Sequence, residues 1–190
     1  MILAIDGLDG SGKSRLATRV AEVLTSGGRA TNILHVDDFR RPLDFNGLDP
    51  AAETALYYDR YYDFAALETA LAETAGDPAG PITIVEGVML LRARLPPEAC
   101  LAVLEVSPAE ARRRIQERDQ AKGRSAEEVA RRIERRYFPA QARYRQAHDP
   151  LGRADLVVDN DDWRRPRVVR RADRLPPLFG QALATALEAA

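Results

Sequence analysis

Cysteine is almost absent from this chain of 190 residues, where Cys100 stands alone. One thiol cannot close an internal disulfide, which points to a reducing, cytoplasmic setting. Lysine is nearly as scarce: Lys13 and Lys122 are the only two among 28 Lys and Arg residues. Excess charge of either sign is missing too. A net charge of -1 provides no global field to gather nucleic acid or an anionic membrane. Long hydrophobic runs are lacking. The apolar opening, Met1 to Ile5, is too short for a secretory leader, and no stretch approaches the roughly 20 residues a membrane helix needs. What remains is ordinary: 45% hydrophobic and 30% charged residues, enough for a single domain, 1–190, with a proper core.

Five short apolar runs punctuate the chain: Ile2 to Ile5, Ala30 to Val36, Ile82 to Val85, Leu101 to Val106 and Leu156 to Val158. Each is continuous rather than alternating, the pattern of strands buried on both faces. Helical patterns separate them. Leu16, Val20, Val23 and Leu24 mark one face of a helix that stops near Gly27 and Gly28. Residues Pro50 to Thr74 read as helix, with Tyr57, Tyr58, Tyr61, Tyr62 and Phe64 at packing positions. Ser107 with Glu110, and Ser125 with Glu128, form two capping boxes. Pro108 fits the first helical position, and Pro139 should bend or break the later helix. Leu178, Phe179, Leu183 and Leu187 suggest a closing helix. The alternation predicts an α/β fold: a three-layer, doubly wound sheet of about five parallel strands.

The strongest local signal is Gly7-Leu-Asp9-Gly10-Ser11-Gly12-Lys13-Ser14. It has the GxxxxGK[ST] spacing and stands between a strand and a helix, the context that gives the pattern meaning. Glycines let backbone amides wrap an anion without a Cβ in the way, and the helix N-terminus faces it. Lys13 can reach the β- and γ-phosphates of a nucleotide, and the Ser14 hydroxyl can join Mg²⁺. A merely structural glycine turn is the weaker reading.

Acids cluster at the carboxyl ends of the same strands, where ligands of parallel sheets sit. They are Asp6, Asp37, Asp38 and Glu86. Such acids can hold Mg²⁺ or take a proton from a hydroxyl. Neither lysine lies in an [NT]KxD guanine reader. The DxxG matches at Asp77 to Gly80 and Asp149 to Gly152 follow no strand and read as chance.

Together these stretches carry a resemblance. "IDGLDGSGKS", "HVDDFRRP", "IVEGVMLL", "RRRIQERDQAKGRSAEEV" and "PLGRADLVVDN" come in the order seen in the uridine kinase-like family of P-loop kinases. That branch includes uridine kinase, phosphoribulokinase and pantothenate kinase. The resemblance covers most of residues 1–160. It implies a P-loop nucleoside kinase-like fold with a small helical lid near 117–125. It also implies ATP and Mg²⁺ as cofactors, and a small hydroxylated, nucleoside-like acceptor. Asp37 becomes the general base, with Asp38 where a small polar residue is usual. Glu86 helps Ser14 hold the metal. Arg118 and Arg124 belong to the lid over the triphosphate, with Lys122 as a third basic group. "YYDF" makes Asp63, beside Tyr62, the match for an acceptor-binding aspartate. The resemblance thins at residues 41–81, where the hairpin that reads the base in uridine and cytidine kinases has no counterpart.

Each role has a plainer rival. Asp37 or Asp38 could cap the next turn. Glu86 could be a satisfied strand-end acid. Arg112, Arg113 and Arg114 read as solvated helix face, His35 as a core histidine, and the arginines from Arg164 to Arg174, interleaved with acids, as ordinary surface. Two other functions compete with the alcohol kinase. A thymidylate kinase-like nucleotide kinase is suggested by the loop and by Asp59-Arg60-Tyr61, although that triplet falls inside a predicted helix. A nucleotide-dependent nucleic-acid-binding protein or switch is disfavoured by the neutral charge. Homo-oligomerisation stays open.

Overall fold

The computed structural model describes residues 1–74 and 80–188. The DxxG match at Asp77 therefore lies outside the described residues. Five strands form where the apolar runs predict them: β1 (Ile2–Gly7), β2 (Thr31–His35), β3 (Ile82–Gly87), β4 (Cys100–Glu105) and β5 (Leu156–Asp159). They are mutually parallel, and a sixth strand, β6 (Arg167–Arg171), pairs antiparallel with β5. The order is β2-β3-β1-β4-β5-β6. The five parallel strands are those expected; β6 is an addition at the sheet edge, and the 164–174 stretch it comes from is surface as expected. All of β6 is exposed, Val168 and Val169 included, so no buried run marks it in the sequence. One correction concerns β2. It is an edge strand, partly buried throughout, and not covered on both faces.

Alternation along β1 divides two cores. Leu3 and Ile5 face α1 (Lys13–Ser26) and the closing helix α8 (Pro177–Glu188), meeting Leu16, Val20, Phe179 and Leu183. Ile2 and Ala4 face the other layer, among Tyr57, Leu67, Ile115 and Tyr144. That layer contains α2 (Pro50–Arg60), α3 (Phe64–Thr74), α4 (Pro108–Ala121), α5 (Ala126–Arg132), α6 (Phe138–His148) and the short α7 (Pro150–Arg153).

Several boundaries follow local rules. Asp49 caps α2, accepting from the Ala52 amide, with Pro50 at the first helical position. Ser107 and Ser125 cap α4 and α5 through the amides of Glu110 and Glu128. The boxes are only half closed, because Glu110 turns to Arg113 and Arg114, and Glu128 to Arg132. The predicted helix over 50–74 is two helices. The chain breaks at Tyr61–Asp63, where Arg40 bridges Tyr62 and the Arg41 and Asp63 amides donate to the Tyr61 and Phe39 carbonyls. A backbone serving that ladder cannot continue the helix. Ahead of Pro139, Ile133–Tyr137 forms one π-helical turn between α5 and α6. Four residues, Lys122–Ser125, link α4 to α5, with Gly123 at φ +84°. Among the described residues no helix is long and apolar enough to cross a membrane.

Candidate active site

The loop between β1 and α1 curls at the carboxyl edge of the sheet. Gly10 (φ +77°) and Gly12 (φ +96°) take left-handed conformations that suit glycine. Space reinforces geometry: a Cβ on Gly10 would come 2.9 Å from the Ala111 carbonyl, and one on Gly12 2.8 Å from Asn160 Nδ2. Lys13 is buried and its Nζ folds across the loop to donate to the Leu8 carbonyl at 2.8 Å. Its ammonium is thus held within the curl formed by Gly7, Asp9, Gly10, Ser11 and Gly12.

Distant elements brace this loop. Asn160, just past β5, donates to the Ser11 carbonyl at 2.7 Å. Arg114 on α4 donates to the Gly10 carbonyl and to those of Asn160 and Asp161. Gln141 on α6 grips Asp9 twice: its Nε2 donates to the carboxylate at 2.6 Å, and its Oε1 accepts from the Asp9 amide. Tyr144, one turn on, donates to the buried Asp6 carboxylate. Sequence reasoning missed all four braces. Asn160 was reachable from the strand-end rule, since it follows the fifth apolar run. Arg114, expected on the solvated face of the helix, is largely buried, while Arg112 and Arg113 lie on that face and pair with Glu134 and Glu117.

Ser14 opens α1 and its Oγ donates to Glu86 Oε1 at 2.9 Å. The same oxygen lies 2.6 Å from His35 Nδ1. His35 is therefore no core histidine. It is partly exposed on the edge strand, directly opposite Glu86 in the β2–β3 register. Asp37 and Asp38 occupy the single 3₁₀ turn after β2, both exposed. Asp37 Oδ1 accepts from the Tyr62 hydroxyl at 3.2 Å. Tyr62 is buried, edge-to-face with Tyr57 and Tyr61.

Charge in this region is coupled. Burial pushes the Asp9 carboxyl up; Lys13 and Arg118 pull against that, and Asp37 and Asp119 add to it. Burial also raises Asp6 to about 6, against the hydrogen bonds from Tyr144 and Gly7. Tyr62 is pushed well up, chiefly by burial, then by Asp9 and Asp37.

Arg118 and Arg124 converge although six positions apart. Both reach the buried Asp119, at 2.7 Å and 3.2 Å. Arg118 also extends toward Asp9 at 3.9 Å, so one guanidinium touches the margin of the curl. Arg118 is on the last turn of α4, so only Lys122–Arg124 of the expected lid segment lies outside helix before the Ser125 cap. Lys122 is exposed at the end of α4 and joins none of these contacts among the described residues. Asp63 is engaged locally: it accepts from the Ala66 amide at the start of α3 and pairs with Arg41 at 2.8 Å. Hydrogen bonds from Arg41 and Ala66 hold its carboxyl below the usual range. Asp59 and Arg60 lie in α2, and Asp59 pairs with Arg143 rather than with this site.

No family model and no curated protein matches the sequence. Solved structures do. A possible uridine kinase from Bacillus stearothermophilus superposes with TM-score 0.62 at 21% identity, over 83% of this chain and 87% of its own. A candidate fructose transport system kinase from Silicibacter sp. TM1040 gives 0.58 at 19% identity, over 78% and 85%. The chain shares the fold of these two structures.

Proposed function

We propose that this chain is a Mg²⁺-dependent kinase that moves the γ-phosphoryl group of ATP to a hydroxyl of a small, nucleoside-like molecule. One arrangement carries the reading. The Lys13 ammonium and the loop amides offer a polyanion seat, and an exposed carboxylate, Asp37, stands at the end of a strand beside it. Phosphoryl transfer asks for charge neutralisation and an aligned nucleophile more than for covalent chemistry.

In this reading the amides from Gly10 to Ser14, with Lys13, hold the phosphate tail. Arg118 and Arg124, fixed by Asp119, face the charge that builds on the transferring group. Asp37 accepts the alcohol proton, Tyr62 orients Asp37, and Asp63 lies on the acceptor side. Lys122 supplies a further cation to ATP. Magnesium suits the donors present. The Ser14 hydroxyl and Glu86 carboxylate are hard oxygens side by side. Magnesium keeps few protein ligands and takes the rest of its shell from phosphates and water. When bound, it would neutralise phosphate charge.

ATP turnover against nucleosides, sugars and vitamins, read as stimulated ADP release, tests the proposal. One acceptor should raise ADP release well above the water background, and Lys13→Ala should abolish it with the fold intact. Wild-type turnover in Lys13→Ala would overturn the site. Stimulation by nucleoside monophosphates alone would move the assignment to the nucleotide kinases.

A further inference from the structure

Away from the phosphate loop, a cavity of about 570 Å³ opens between the Leu91–Ala99 segment, the start of β4 and the end of α7. Four guanidinia line it, from Arg92, Arg94, Arg153 and Arg174, against two carboxylates, Glu68 and Asp155. Both acids are already committed. Asp155 is buried, pairs with Arg174 and accepts from the Leu101 amide. Glu68 accepts from the Arg94 amide.

The remaining three arginines have no such partner. Among the described residues, the side chains of Arg92, Arg94 and Arg153 make no ion pair and no hydrogen bond. Some arginines elsewhere are paired, as at Glu53 and Glu110, and others are not; these three are distinguished by sharing one cavity. Arg92 is the sharpest case. Its guanidinium is sandwiched over the rings of Tyr58 and Phe64, and its Nη1 is buried without an acceptor. A buried donor left unmade is costly, and guanidinia recognise carboxylate and phosphate with paired bonds. The local field agrees: burial and then Arg92 and Arg153 drive His148, on the adjoining helix end, toward its neutral form.

We propose that this cavity is a second binding site, separate from the phosphate loop, for a small multiply charged oxyanion such as a phosphorylated or polycarboxylate metabolite. Arg92, Arg94 and Arg153 are its cationic contacts. The volume accommodates a metabolite of nucleotide or sugar phosphate size rather than a bare ion.

Isotope-labelled full-length protein would be titrated separately with inorganic pyrophosphate and with citrate, following backbone amides by NMR. The amides of Arg94, Ala99, Leu101 and Arg153 should shift saturably with at least one probe. Pyrophosphate alone acting would indicate a phosphate ester, and citrate alone a polycarboxylate. Arg153→Gln, an exposed change that leaves the fold alone, should weaken that titration about fivefold or more, the loss of one charge-assisted contact. Arg92→Met with Arg153→Gln should abolish it, while Lys13→Ala leaves it unchanged. Shifts confined to Gly10–Ser14, or an Arg153→Gln titration equal to wild type, would overturn the site.

Discussion

Tyr62 donates a hydrogen bond from its hydroxyl to Asp37 at 3.2 Å, linking the break in the α2–α3 segment to the turn after β2. The partners differ sharply in exposure, Tyr62 buried and Asp37 open to solvent. A fixed phenol thus aims a carboxylate that could otherwise rotate. Asp37→Asn should cut turnover by about 100- to 10,000-fold, the span of a lost general base, without moving the melting temperature. Tyr62→Phe should cost only about three- to tenfold, the worth of one hydrogen bond. Steady-state kinetics with whichever acceptor stimulates ADP release would check both. Equal losses from the two variants would deny Asp37 a chemical role.

Ser14 and Glu86 give a separate expectation. Glu86→Gln keeps the shape and a possible acceptor for Ser14 but removes the charge. The Mg²⁺ concentration for half-maximal turnover should rise about 10- to 100-fold. A magnesium titration of ADP release reads this directly; an unchanged midpoint would leave Glu86 as a hydrogen-bond partner of Ser14 and His35 only.

Asp6 predicts a pH dependence of stability. Its folded pKa is raised to about 6 from an ordinary 3.8, so the native state holds the proton more tightly than the unfolded chain. Its contribution is therefore fully present below about pH 4 and is lost as pH rises through about 6, an effect on the order of 2–3 kcal/mol. Urea unfolding of wild type and Asp6→Asn across pH 4–7 should show wild type losing ground to the variant as pH rises. Parallel profiles would mean that Asp6 ionises normally.

Glu53 is fully buried on α2 and holds Arg136 at 2.5 Å and Arg131 at 3.2 Å. Burial works to raise its pKa, and hydrogen bonds from both arginines outweigh that and lower it. Glu53→Ala would leave those cations without a counter-charge, a loss of about 3–5 kcal/mol. Chemical denaturation measures it; a loss under about 1 kcal/mol would show the network to be solvated, like a surface pair.

The glycine loop and five parallel strands were legible because each is written locally: a glycine spacing, an apolar run, a serine cap. The family resemblance also brought Asp37, Glu86, Arg118 and Arg124 into view, and the fold collects all four near the loop. What stayed hidden depends on partners far along the chain. Gln141 and Tyr144 reach Asp9 and Asp6 across more than 130 residues, and no local pattern on α6 announces that. The break at Tyr61–Asp63 was masked by good helix formers on both sides. It exists because Arg40 and Arg41 compete for the backbone there. β6 lacked a hydrophobic signature because a strand covered on neither face needs none.

The clasp of Glu53 on the π-helical turn has a mechanical result. It couples α2, which leads into Tyr62, to the segment that begins just past Arg124. In the proposed kinase, an acceptor wedged against Tyr62 would push on α2, and the clasp would relay that push toward the guanidinia around Asp119.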